Sequence, residues 1–62
     1  MTVIIFFKEK AGVRYGLPSF QKTLTGEAVS DNPKTISVIP SRCRLNRVKI
    51  ISKNDILNID YF

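Results

Sequence analysis

Residues 3–7 read Val-Ile-Ile-Phe-Phe, the longest unbroken run of apolar side chains in the chain, and each of them is β-branched or aromatic. Such side chains favour strands, and Thr2 and the charged residues 8–10 bound the run. Neighbouring side chains of a strand point to opposite faces, so both faces of this strand are apolar. Continuous apolarity is typical of a strand that is covered on both sides. We therefore expect a short helix, a folded-over loop or another subunit to cover its second face.

The residues that follow this strand predict a hairpin. Lys10-Ala11-Gly12 offers a glycine for the left-handed position of a three-residue loop. Residues 13–17 then alternate, with three apolar side chains on one side: Val13, Tyr15 and Leu17. Pro18 ends this second strand because proline cannot donate to a ladder.

Residues 19–34 fit two kinds of structure. Ser19 could cap a short helix, and residues 21–25 fit a strand nearly as well. A structureless loop of this length is unusual in a small domain, so we expect regular structure here. Residues 30–33, Ser-Asp-Asn-Pro, predict a turn or loop.

Two further strands are predicted from alternating side chains. Residues 35–39 alternate with Ile36 and Val38 inward, and Pro40 stops them. Ser52 and Asp55 could begin a helix, but residues 56–62 have the period of a half-buried strand. Its predicted inward side chains are Leu57, Ile59 and Tyr61.

A basic segment, residues 41–53, lies between these strands. It contains five of the ten cations and no acid: Arg42, Arg44, Arg47, Lys49 and Lys53. A β-bulge near Asn46 would place the first four cations on one side of a kinked strand. A turn at residues 45–46 would give the same result on two paired strands. The opposite, apolar side would then hold Cys43, Leu45, Val48 and Ile50.

These elements predict a mainly β protein with a single small domain, residues 1–62. We expect five or six short antiparallel strands and at most one short helix. The strands would form a small barrel or a strongly curved sheet, of the SH3-like or OB-like kind.

Composition excludes several classes of chemistry. One Cys and no His rule out an internal disulfide, an ordinary zinc site and a histidine-based catalytic triad. Cys43 is expected to be a buried thiol, since a lone Cys behaves as a small hydrophobe. We expect no cofactor, no metal and no enzymatic activity, although a ribonuclease built from Arg, Lys and Tyr stays an alternative. No signal peptide or membrane span is predicted, and a cytoplasmic location is expected.

The net charge of +5 favours a polyanionic partner. We expect a nucleic-acid-binding domain in which the five cations of the basic segment contact phosphates with weak sequence specificity. Tyr15 and Tyr61 are the candidates for stacking on bases, which would favour single strands or RNA.

The alternative hypothesis is a protein-binding module, such as a small inhibitor or adaptor that docks on an acidic protein. Its candidate interface is the first strand, through Val3, Ile4 and Phe6, which could also form a homodimer or accept an added strand. An origin in a phage or mobile element fits the chain length.

Overall fold

The computed structural model describes residues 1–41 and 47–62. This part of the chain contains one five-stranded antiparallel sheet and two short 3-10 helices. The strands are β1 (Thr2–Phe7), β2 (Thr23–Asp31), β3 (Thr35–Pro40), β4 (Lys49–Ser52) and β5 (Ile56–Tyr61). The 3-10 helices are Ala11–Tyr15 and Lys53–Asp55. Within the described ranges, no helix has the length and apolarity needed to cross a bilayer.

The strand order is β4-β3-β2-β1-β5, so consecutive strands β4 and β5 lie at opposite edges. Residues 53–55 alone connect them, and four chain steps span at most about 14 Å. A flat sheet of five strands would hold its edges roughly 19 Å apart. The sheet must therefore curl until its edges approach each other at this connection. The predicted mainly β fold and curved sheet are confirmed, whereas the barrel alternative is wrong because the sheet does not close.

β1 lies inside the sheet, paired with β2 on one side and β5 on the other. Val3, Ile5 and Phe7 face the core and are buried, while Ile4 and Phe6 on the opposite face are half-buried. The core among the described residues consists of Val3, Ile5, Phe7, Ala11, Leu24, Ile36, Val38, Ile51 and Ile56. The first predicted strand is confirmed, and it contributes three of these side chains.

The predicted hairpin over residues 10–17 is wrong, because residues 11–15 form a 3-10 helix. Lys10 begins it in the left-handed conformation, at φ 62°. Gly16 ends it at φ 85°, a conformation that glycine adopts without steric cost. Both edges of β1 already have partner strands, so residues 13–17 have no place beside it.

β2 resolves the choice left open for residues 19–34. It is a strand that begins at Thr23 and runs for nine residues, so the helix alternative is wrong and the strand is longer than proposed. Gly26 faces β3 so closely that a Cβ there would lie 2.5 Å from Cγ1 of Val38. The predicted turn is shortened to the residues after Asp31, where the Asn32 amide donates to the Thr35 carbonyl at 2.8 Å.

β3 is confirmed with Ile36 and Val38 inward, both fully buried. The predicted faces of β4, in contrast, are inverted. Ile51 is buried opposite Ile36, whereas Ile50 is 65% exposed. Lys49 stands opposite the inward Val38 and therefore lies on the core face of β4.

Val48, which was also predicted to face inward, is exposed. The proposed bulge near Asn46 and the inward positions of Cys43 and Leu45 lie outside the described residues.

β5 forms as predicted, but a bulge alters its faces. Ser52 accepts a 3.4 Å hydrogen bond from the Asn54 amide and so caps the 3-10 turn that precedes the strand. Phe7 then pairs with Ile56 and Phe6 with Asn58, which leaves Leu57 as the extra residue. Leu57 is 72% exposed as a result, so its predicted inward position is wrong. Ile59 packs against the core as expected.

Candidate nucleic-acid interface

The predicted basic face is described only in part. Arg42 and Arg44 lie outside the described residues. Arg47 is exposed and forms no ion pair with any acid in the ranges 1–41 and 47–62. Its role in phosphate binding stays a prediction.

Lys49 and Lys53 are engaged within the protein. The Lys49 ammonium donates a 2.7 Å hydrogen bond to the Tyr15 carbonyl. Lys49 lies on the core face of β4, but its long side chain places the ammonium next to a polar partner. Lys53 forms an ion pair with Asp31. The prediction that Lys49 shares one solvated face with the arginines is therefore wrong, because its ammonium bonds within the protein. Phosphate contact by Lys53 stays a prediction.

Tyr61 completes the cluster around Asp31. Its hydroxyl donates a 3.0 Å hydrogen bond to Oδ2 of Asp31. Hydrogen bonds from Lys53 and then Tyr61 hold the pKa of Asp31 below its ordinary value, and the bond to Asp31 raises the pKa of Tyr61. This polar group links the end of β2 to the end of β5, and it accounts for the position of the Tyr61 hydroxyl without a ligand.

Tyr15 has an internal structural role. Its ring stacks on Phe7 with centroids 5.7 Å apart. Its hydroxyl donates to Asp55 at 2.6 Å and accepts from the Ser52 amide at 3.1 Å. Burial, followed by the bond to Asp55, raises the pKa of the Tyr15 hydroxyl. The Tyr15 ring is therefore partly buried, and its contact with Phe7 already occupies one of its faces.

The three residues of the candidate protein interface on β1 lie on two opposite faces of the strand. Val3 is fully buried in the core, so its side chain cannot reach a partner in this fold. Ile4 and Phe6 lie on the outer face and are half-buried. Because both edges of β1 are paired, an added strand would have to use β4 or β5 instead.

A basic groove that the sequence did not reveal lies at the opposite end of β1 from the N-terminus. Lys8, Lys10 and Lys22 line it, together with Phe7, Glu9, Ser19, Gln21 and Leu57. We call this the lysine groove. All three lysines are exposed, and none pairs with an acid in the described parts of the chain.

Backbone hydrogen bonds fix the walls of the lysine groove. The Phe7 amide donates to the Lys22 carbonyl at 2.8 Å, which holds the segment before β2 against the end of β1. The Lys8 amide donates to the Asp55 carbonyl at 2.9 Å, and the Lys8 carbonyl accepts from Ala11 at 3.0 Å. Lysines that are distant in sequence are thus held on a common, hydrogen-bonded frame.

Two backbone irregularities meet at this groove. Lys10 is the one residue other than glycine with positive φ in the described chain, a conformation that costs roughly 1–2 kcal/mol for a residue with a Cβ. The bulge in β5 turns Leu57 outward into the groove wall. Strained residues and bulges concentrate where a side chain must be aimed at a functional site.

The distribution of acids leaves the lysine groove positive. Glu27 pairs with the N-terminal ammonium, Asp31 with Lys53 and Asp55 with Arg14. Asp60 accepts a 3.1 Å hydrogen bond from its neighbour Asn58. Glu9 alone among the acids lines the groove, against three lysines.

Comparison with protein-family models, with curated proteins and with solved structures finds no match. The assignment of function therefore rests on these residues and their geometry.

Proposed function

We propose that the protein is a small nucleic-acid-binding β-domain that acts without catalysis and contacts phosphates through the lysine groove. The observation that carries this proposal is the convergence of Lys8, Lys10 and Lys22 on one groove whose frame is fixed by backbone hydrogen bonds. A left-handed residue and a bulge shape the same groove.

Three lysine ammonium groups in one groove suit a chain of phosphates better than a single anion. Each is a compact charge with three donors, and a flexible stem lets it follow a backbone of varied conformation. Phosphate contacts contribute affinity without reading sequence, so the domain binds with weak sequence specificity. The net charge of +5 adds long-range attraction to the approach.

A pair of charge reversals tests this proposal. Lys22→Glu places a carboxylate in the groove, whereas Lys34→Glu makes the same change of net charge in the turn between β2 and β3. Binding to a fluorescent oligonucleotide is measured by anisotropy at low salt. Lys22→Glu should lose at least ten-fold in affinity and Lys34→Glu only a few-fold. Equal losses would show that net charge alone acts and would overturn the groove as the site.

Arginines of the basic segment remain predicted phosphate contacts in addition to the lysine groove. Arg44→Glu combined with Arg47→Glu should weaken binding further if these arginines also contact phosphates. Full affinity in that double variant would confine binding to the lysine groove.

A protein-binding module is the second candidate, and the exposed edge of the sheet favours it. β4 has β3 on one side and no partner on the other among the described strands. Ile50 projects from it with 65% of its surface exposed, and Val48 beside it is exposed as well. An acidic partner could add a strand here and cover both side chains. Ile50→Gln should leave the fold intact and weaken that contact, while oligonucleotide binding stays unchanged because the net charge is the same.

A cytoplasmic location belongs to the same proposal. The chain has a single Cys, as expected for a protein of a reducing compartment. Fractionation of cells expressing the protein would test it.

A further inference from the structure

The lysine groove has an apolar side that phosphate binding does not require. Leu57 lines it with 72% of its surface exposed. Phe20, which is 83% exposed, stands between Ser19 and Gln21, and both of these neighbours line the groove. Large apolar side chains exposed beside a basic groove indicate a partner with both charge and apolar surface.

The exposure of Leu57 follows directly from the bulge in β5. Without the extra residue, strict alternation from Ile59, which packs against the core, would place Leu57 on the core face. The register instead passes from Phe7–Ile56 to Phe6–Asn58 and leaves Leu57 unpaired in the groove wall. A bulge is a known means of aiming one side chain beside a binding site.

Phe20 does not belong to the core cluster and is not among the side chains that pack against it. Its segment is fixed on either side, since the Gln21 amide donates to the Pro18 carbonyl at 2.9 Å and the Gln21 side chain donates to the Thr23 carbonyl at 2.8 Å. The exposed ring is thus held on an ordered turn whose residues Ser19 and Gln21 line the groove, while Phe20 itself lies beside the groove lining. An exposed aromatic ring on an ordered turn is the kind of platform on which nucleobases stack.

We infer that the lysine groove takes single-stranded nucleic acid, with phosphates on its lysines and an unpaired base against Phe20 and Leu57. This inference rests on the proposed function and deepens it. In a duplex the base faces are stacked on each other, so a protein reaches only base edges and backbone. A single strand exposes both base faces and backbone, which matches the apolar and cationic sides of this groove.

The test compares an oligothymidine of about twelve nucleotides with a hairpin duplex that carries the same number of phosphates. The single strand should bind at least ten-fold more tightly than the duplex. Phe20→Ala should weaken single-strand binding roughly five-fold to one-hundred-fold, the usual range for loss of a stacking residue, and leave duplex binding unchanged.

Phe62→Ala is the matched control. Phe62 is 72% exposed, but it lies at the other end of the sheet, where its amide donates to the Thr2 carbonyl. It should bind like the wild type. Unfolding midpoints measured in urea should agree among the wild type and both variants, since neither ring lies in the core.

The outcomes separate the two levels of the proposal. Equal binding of both probes, or an unchanged affinity in Phe20→Ala, would overturn the single-strand inference while Lys22→Glu still tests phosphate binding. Absence of salt-sensitive binding to either probe would overturn both.

Discussion

The hydroxyl of Tyr15 donates a 2.6 Å hydrogen bond to Oδ2 of Asp55, and this contact joins the two 3-10 helices of the protein. The second helix is the short connection between the two edge strands, so the bond anchors the point where the sheet curls. The Ser52 amide donates to the same hydroxyl. Tyr15 therefore stabilises the fold through its hydroxyl as well as its ring.

Tyr15→Phe should lower the free energy of unfolding by about 1–3 kcal/mol, because it removes a bond to a carboxylate and leaves the Ser52 amide without its acceptor. Urea unfolding measures the loss. Tyr61→Phe is the control, since its hydroxyl bonds to Asp31 at the surface, and it should cost under about 1 kcal/mol. Equal losses in the two variants would contradict a structural role specific to Tyr15.

The stability of the protein should fall in acid partly through Asp31. Its pKa is lowered in the folded state by Lys53 and Tyr61, so its contribution is present above the ordinary carboxyl pKa. That contribution is lost as the pH falls through the lower folded value. Unfolding midpoints followed from pH 6 to about pH 2 should drop less steeply for Asp31→Asn than for the wild type. Identical acid profiles would show that the ion pair contributes nothing in solution.

The inverted faces of β4 can be tested with two adjacent isoleucines. Ile51→Ala should cost about 2–4 kcal/mol of stability because it opens a cavity in the core. Ile50→Ala should cost under about 1 kcal/mol because its side chain is largely exposed. A larger loss of stability for Ile50→Ala than for Ile51→Ala in urea unfolding would support the inward position of Ile50 that the sequence predicts.

Lys10 offers a variant in which stability and binding move in opposite directions. Lys10→Gly relieves the left-handed conformation and should raise stability by up to about 1 kcal/mol. It should also weaken oligonucleotide binding several-fold, because one of the three groove cations is gone. Lys10→Ala removes the same charge and keeps the strain, so it should match the weaker binding without the gain in stability. Wild-type affinity in both variants would remove Lys10 from the site.

Of the segments with clear alternation, β3 was predicted correctly, whereas residues 13–15 belong to a 3-10 helix instead of a strand. Ile36 and Val38 alternate with Thr35 and Ser37 in β3, so the face that carries Ile36 and Val38 is the one expected to be buried. The predicted inward face of β4 was wrong because Ile50 and Ile51 are adjacent, so the apolar pattern fits either face. The prediction placed the Lys49 side chain on the solvent face because it is charged. Its long side chain instead starts on the core face, and its ammonium reaches the Tyr15 carbonyl.

The 3-10 helix Ala11–Tyr15 and the lysine groove were harder to predict from the sequence. A left-handed residue is usually Gly or Asn, so Lys10 gave no sign of the turn that begins the helix. Lys8, Lys10 and Lys22 do not form a run, and Glu9 interrupts the first two. Only the pairing of Phe7 with Lys22 brings them together. The one available signal was the charged run that directly follows β1.

The salt dependence of binding to oligothymidine tests the lysine groove most directly. With three lysines on phosphates, the logarithm of affinity should fall against the logarithm of salt concentration with a slope of roughly −2, and the triple variant with Lys8, Lys10 and Lys22 changed to Ala should lose most of it. A wild-type slope near zero, or a triple variant with the wild-type slope, would contradict phosphate binding in this groove.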